Sequence, residues 1–244
     1  MPARRGRDPV ARLTRSGRPP ERRRGLLPAA FALAVLVTAT AAGCANSTAV
    51  GAGAGNGNGS PGMVLINSSQ YDGNIIAPVV KPSGTLTGDD GTPFNVRTGT
   101  RGIVTLLYFG YTHCPDLCPL TMSNTSTAMQ MLPRADQARI RVLFVSVDPG
   151  RDTPARLRSW LGGFDPAFIG LRGTLPEVEA FERQTGLPLG PVYQDSAGYV
   201  QLDHATEMFA YSTNNVAHEA FFPSTPPAEM AHDLKLLVAG GVPS

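Results

Sequence analysis

Two apolar runs constrain this chain more than any other feature: residues 103–109 (IVTLLYF) and 140–147 (IRVLFVSV). Neither alternates polar with apolar positions, so each predicts a strand buried on both faces. Such strands need a covering layer above and below, and helices placed between parallel strands supply it. The sequence offers those helices. Met122, Met129 and Leu132 recur at helical spacing over residues 120–132, with Met131 counted beside them as core. Thr153 and Pro154 supply an N-cap and a first helical position for residues 154–162. Residues 175–185, and a segment opened by Pro226 and Pro227 that runs to residue 238, predict two more.

Shorter extended segments fill the gaps. Asp89-Asp90-Gly91 turns a hairpin over residues 84–96, and a short strand falls near residues 168–171. Residues 192–194 and 199–202 flank a turn, and residues 207–211 and 216–222 predict a further hairpin. Alternating strands and helices, then an antiparallel pair and a terminal helix, fit an α/β thioredoxin-like sandwich with a central mixed sheet flanked by helices. The domain is expected over residues 63–244, enough for one core.

The residues before it read differently. Residues 1–43 predict an export signal, with an arginine-rich start, an apolar run at 25–42 and small residues before Cys44. Ala41-Ala42-Gly43-Cys44 resembles a bacterial lipobox, in which the cysteine is diacylated and becomes the mature N-terminus. A simple transmembrane anchor is the alternative. Residues 44–62, nearly all Gly, Ala, Ser, Asn and Thr, predict a flexible tether. The expected location is the extracytoplasmic face of the cell membrane, reached through a lipid on Cys44. Nine of the 21 basic residues lie in the first 24 positions, against two of the 19 acids, so the formal charge of +2 conceals an acidic remainder. Nothing there suggests nucleic-acid binding.

The other two of the three cysteines form Cys114-Pro115-Asp116-Leu117-Cys118, just after the first buried run. Thiols this close imply a metal site, a redox couple or both. A helix N-terminus favours thiolate, with Cys118 expected as the cap and Pro119 as the first helical residue. Two thiolates leave most metals short of a ligand, and four histidines are available. His113 adjoins Cys114, where the backbone turns its side chain elsewhere, and His232 reads as a solvated helix face. His218 lies on an expected strand, whereas His204 ends one. The residues alone favour His204 and leave His218 open. Cys with His suits Cu(I), Cu(II) or Zn(II). Asp148, at the end of the second run, either turns the chain or orients a ligand. Asp116 is either solvated or used in partner recognition.

Three segments carry a family resemblance. Residues 108–119 (YFGYTHCPDLCP) look like the signature of the SCO1/SenC family of copper-binding proteins. Residues 145–154 (VSVDPGRDTP) resemble its second block, and residues 202–206 (LDHAT) its third, where the family has its histidine ligand. The resemblance runs from about residue 84 to 238. It implies a thioredoxin-like fold and one copper per chain, Cu(I) or Cu(II), bound by Cys114, Cys118 and His204. It also implies receipt of copper from an upstream donor and delivery to the binuclear site of cytochrome c oxidase subunit II.

The leading expectation is thus a lipid-anchored copper metallochaperone. The alternative is an extracytoplasmic thiol–disulfide reductase, in which Cys114 and Cys118 keep the cysteines of the oxidase subunit reduced and His204 has no task. A peroxidase of the peroxiredoxin type would need a Thr and an Arg behind its cysteine. Thr112 and Arg151 are candidates, but the Thr-to-Cys spacing does not fit.

Overall fold

The structure is a computed structural model, and it describes residues 65–66, 70–187, 192–194, 200–202 and 205–242. In chain order the elements are β1 (Leu65–Ile66), β2 (Asn74–Val80), β3 (Thr85–Gly88), β4 (Pro93–Asn95), α1 (Val96–Gly99), β5 (Val104–Gly110), α2 (Leu117–Gln130) and α3 (Arg134–Gln137). They continue with β6 (Ile140–Ser146), α4 (Pro154–Gly162), β7 (Ile169–Arg172), α5 (Leu175–Arg183), β8 (Val192–Gln194), β9 (Val200–Leu202), β10 (Met208–Tyr211), β11 (Val216–Phe221) and α6 (Pro227–Val238). Among the described residues nine strands form one open mixed sheet in the order β1-β2-β11-β10-β5-β6-β7-β3-β4, while β8 and β9 pair with each other.

The two apolar runs are the parallel centre of that sheet. Val104 pairs with Ile140 and the register holds to Gly110 with Ser146. All seven residues of β5 are buried. Full burial of a Leu or Phe is worth about 1.5–3 kcal/mol, so Leu106, Leu107, Phe109, Leu143 and Phe144 anchor the core. Strand β7 extends the parallel set, β10 joins β5 antiparallel, and α2 packs against α6. This is the mixed sheet flanked by helices that the alternation predicts.

Three details differ from the sequence reading. Helix α2 begins at Leu117, so Cys118 lies in its first turn rather than at its cap. Met131 is half exposed at the helix end, whereas Met122 is fully buried. The unforeseen strand β2 contains Pro78, which lacks a ladder N–H. Its register against β11 shifts between Ala217 and Glu219, and that irregularity accommodates the proline.

Lys81, just past β2, is fully buried. Its ammonium donates to Thr100 Oγ1 at 3.0 Å and Thr105 Oγ1 at 2.9 Å and lies 5.5 Å from the centre of the Tyr211 ring. Burial, and secondarily the nearby Arg97 guanidinium, pushes it down to about 8. A lysine that loses its proton more readily folded than unfolded makes stability rise as pH climbs from about 8 toward the ordinary lysine range. Thermal unfolding at pH 7 and pH 9.5 tests this. The melting temperature of the wild type should gain on that of Lys81→Met between the two, because methionine has no proton to lose.

Candidate metal centre

Strand β5 ends at Gly110, where an added Cβ would lie 2.8 Å from Tyr108 Cε1 and 2.9 Å from Phe144 Cε2. Only glycine lets the chain leave the core between those rings. It turns at once, with the Cys114 N–H bonding to the Tyr111 carbonyl at 3.2 Å. Helix α2 then opens with Asp116 as N-cap, but the Asp116 side chain makes no cap bond. Cys114 Sγ takes that place and accepts the Cys118 N–H at 3.4 Å, meeting one of the unpaired donors of a helix start.

The two thiols are inequivalent. Cys114 is half-buried and Cys118 fully buried, and neither is in a disulfide. The Tyr108 hydroxyl donates to Cys118 Sγ at 3.6 Å. Burial pushes the Cys118 thiol well up, and the neighbouring Cys114 adds to that, while the Tyr111 backbone N–H and the Tyr108 hydroxyl pull the other way. Desolvation therefore outweighs the favourable helix terminus that the sequence suggested. Without a cation, Cys118 stays a thiol at neutral pH, and a metal would have to displace its proton.

The loop is fixed from the segment that follows β6. Asp152 is fully buried and accepts the Thr112 N–H at 3.1 Å, the Thr112 hydroxyl at 2.6 Å and the Ser146 hydroxyl at 2.7 Å. His113 Nδ1 lies 3.6 Å from the same carboxylate, and Arg156 Nε donates to Thr112 Oγ1 at 3.1 Å. Sequence reasoning missed Asp152, although its position just before the Thr153 cap was a usable signal. Asp148 lies nearby but spends its carboxylate on Arg151. Arg151 is accordingly the partner of Asp148, and the arginine at Thr112 is Arg156.

The histidines separate cleanly. His113 is exposed with its ring turned toward Asp152. His218 lies on β11, two strands from β5, between residues level with Thr105 and Leu106, at the end of β5 away from the cysteines. His232 contacts Asp72 and Asp233. His204 and Cys44 lie outside the described residues, as do the predicted signal and tether. Beside His204, Ala205 and Glu207 are buried. Glu182 of α5 is pushed up to about 8 by burial, a shift that the Ala205 backbone N–H offsets in part. Among the described residues no helix is long and apolar enough to cross a membrane.

Comparison with known proteins bears on the family and the fold. The sequence pattern of the SCO1/SenC family matches residues 77–239. The chain belongs to the SCO1/SenC family. A putative copper-binding protein of Stutzerimonas stutzeri is 31% identical over 118 residues, 48% of this chain and 57% of that protein. The mitochondrial protein SCO2 of Saccharomyces cerevisiae is 41% identical over 95 residues, 39% of this chain and 31% of its own length. The chain thus spans well under two thirds of these curated relatives. The structure of Bradyrhizobium japonicum ScoI with copper bound superposes with a TM-score of 0.58 at 30% identity, covering 64% of this chain and 98% of that one. The SCO1/SenC relatives include copper-binding proteins, and the sheet and helices share their thioredoxin-like fold.

Two outcomes follow from the loop. A thiol-alkylating reagent at neutral pH should modify Cys114 at least about tenfold faster than Cys118, read by peptide mass spectrometry. Asp152→Ala should lower unfolding free energy by about 3 kcal/mol in urea, since three donors lose their buried acceptor. It should also narrow the difference between the thiols, because the loop is no longer held.

Proposed function

We propose that this chain is a lipid-anchored copper carrier on the extracytoplasmic face of the cell membrane. Residues 1–43 serve as export signal, Cys44 carries the lipid, residues 44–62 form the tether and residues 63–244 the carrier domain. One copper, Cu(I) or Cu(II), is held by Cys114, Cys118 and His204. It arrives from an upstream donor and passes to the binuclear copper site of cytochrome c oxidase subunit II.

The observation that carries this reading is the pair of thiols at the start of α2, Cys114 half-buried just ahead of the helix and Cys118 buried in its first turn. Soft sulfur ligands suit Cu(I), and an imidazole broadens the site to Cu(II). The surroundings of His113, His218 and His232 support the choice of His204 as the nitrogen ligand, which the family resemblance implies. A copper-bound relative at 30% identity supports the same cargo. Asp148 bears on the site at one remove: its carboxylate pairs with Arg151 and its backbone carbonyl accepts the Asp152 N–H at 2.9 Å. A second reading, the thiol–disulfide reductase, draws on the same inequivalence: Cys114 is accessible enough to attack, and Cys118 stands behind it to resolve.

Copper titration of the reduced full-length protein, followed by absorption and paramagnetic resonance, separates the two. A carrier binds one equivalent, with sulfur-to-copper charge-transfer bands that vanish in Cys114→Ser or Cys118→Ser and a weaker, altered complex in His204→Ala. No stable copper, with a reversible Cys114–Cys118 disulfide, makes the chain a reductase.

A further inference from the structure

Five arginines crowd the end of the sheet opposite the cysteines. Beyond residue 24 the chain carries 12 basic and 17 acidic residues, yet residues 97–101 and 131–141 hold five of those bases and a single acid, Asp136. The fold brings the two segments together, because both lead into the parallel centre. Val104, which opens β5, donates its N–H to the Arg139 carbonyl at 3.1 Å, and Thr105 pairs with Arg141. Arg101 lies three residues before Val104, and Arg97 donates to the Lys81 carbonyl just past β2. Arg134 opens α3, the helical turn before β6. Arg101, Arg134 and Arg139 are exposed, and among the described residues none of the five forms an ion pair. One end of an otherwise acidic domain thus carries a positive field with no internal partner.

Met131, three residues before Arg134 at the end of α2, is half exposed, so an apolar side chain stands among these charges. Arginines around an exposed apolar side chain suit a phospholipid surface, where phosphates accept from the guanidinium groups and the acyl boundary takes the thioether. The course of the chain selects that occupant. The pairings of β1 with β2, β2 with β11, β11 with β10 and β10 with β5 are all antiparallel, so β1 runs the same way as β5. Leu65 pairs with Ile76 and Ile66 with Ile75, which makes Leu65 the residue of β1 nearer the arginines. Residues 44–62 precede it in the chain, so the tether attaches at the arginine end.

We propose that this arginine end docks on anionic phospholipid headgroups and stands the domain upright on the membrane, an inference that rests on the lipid-anchored reading above. Strand β5 has seven residues between the arginines and the cysteine loop. At about 3.3 Å per residue it holds the thiols roughly 20 Å farther from the lipid. They then face away from the bilayer, where an acceptor can reach them.

The test uses the full-length chain with Cys44, Cys114 and Cys118 replaced by serine and a polarity-sensitive fluorophore attached through Met131→Cys. Lipid, thiols and copper are then absent, so the result is separate from the fate of the carrier reading. The nine arginines of residues 1–24 draw every variant to anionic vesicles, so the colour of the probe, not the bound fraction, is the readout. Its emission should shift to the blue on vesicles of phosphatidylcholine with phosphatidylglycerol, and not on phosphatidylcholine alone. The same label at Leu120→Cys, exposed beside the cysteine loop, should stay unshifted. Arg134→Glu with Arg139→Glu should cut the Met131 shift about fivefold, and the milder Arg134→Gln with Arg139→Gln about twofold. Both arginines are exposed, and the melting temperature checks that the variants fold. No shift at Met131 on anionic vesicles, an equal shift at Leu120, or a shift that neither pair of substitutions alters overturns the proposal and leaves this end to solvent or to an acidic protein.

Discussion

Everything near the cysteines depends on β5 being buried along its full length. A strand covered on both faces can change surroundings only at its ends. At Gly110 the chain passes from a dry core to solvent within a few residues, and each one settles at a different depth. Thr112 is buried, His113 is exposed, Cys114 is half-buried and Cys118 is buried again. The inequivalence of the two thiols is therefore a consequence of where the central strand stops.

Such a turn strands backbone and hydroxyl groups away from water, and one buried carboxylate absorbs them. Asp152 gathers the Thr112 amide, the Thr112 hydroxyl and the Ser146 hydroxyl, which ties the cysteine loop to the end of β6. The parallel register between β5 and β6 makes this possible, because it brings Gly110 level with Ser146. The cysteine segment and the segment following β6 are thus one structural unit, although about 30 residues separate them in the chain. Glu219 shows the opposite solution, a buried acid facing other acids and held neutral by its surroundings.

Much of the site was legible beforehand because its signals are local. The apolar runs, the Thr153–Pro154 cap and the cysteine spacing need only neighbouring residues to be understood. The helix start was misplaced by two residues because the Cys114 sulfur, rather than a cap side chain, accepts the Cys118 N–H in the first turn. Strand β2 went unread because Pro78 argues against a strand, and its pairing with β1 and its shifted register against β11 make one. Local signals also left His218 and His204 both open, since adjacency in a sheet depends on strand order.

The sequence by itself determined the central strands, the helices between them and the position of both thiols at a helix start, since hydrophobic period and capping act over a few residues. Tertiary structure alone decided which residues surround that pair. It brought Asp152 beneath the loop, carried His218 to the far end of β5 and gathered Glu219, Asp72 and Asp233 at one edge. It also reversed the expected ease of ionisation at Cys118. Burial and charge depend on every neighbour in space, and those neighbours are set by the order of strands in the sheet.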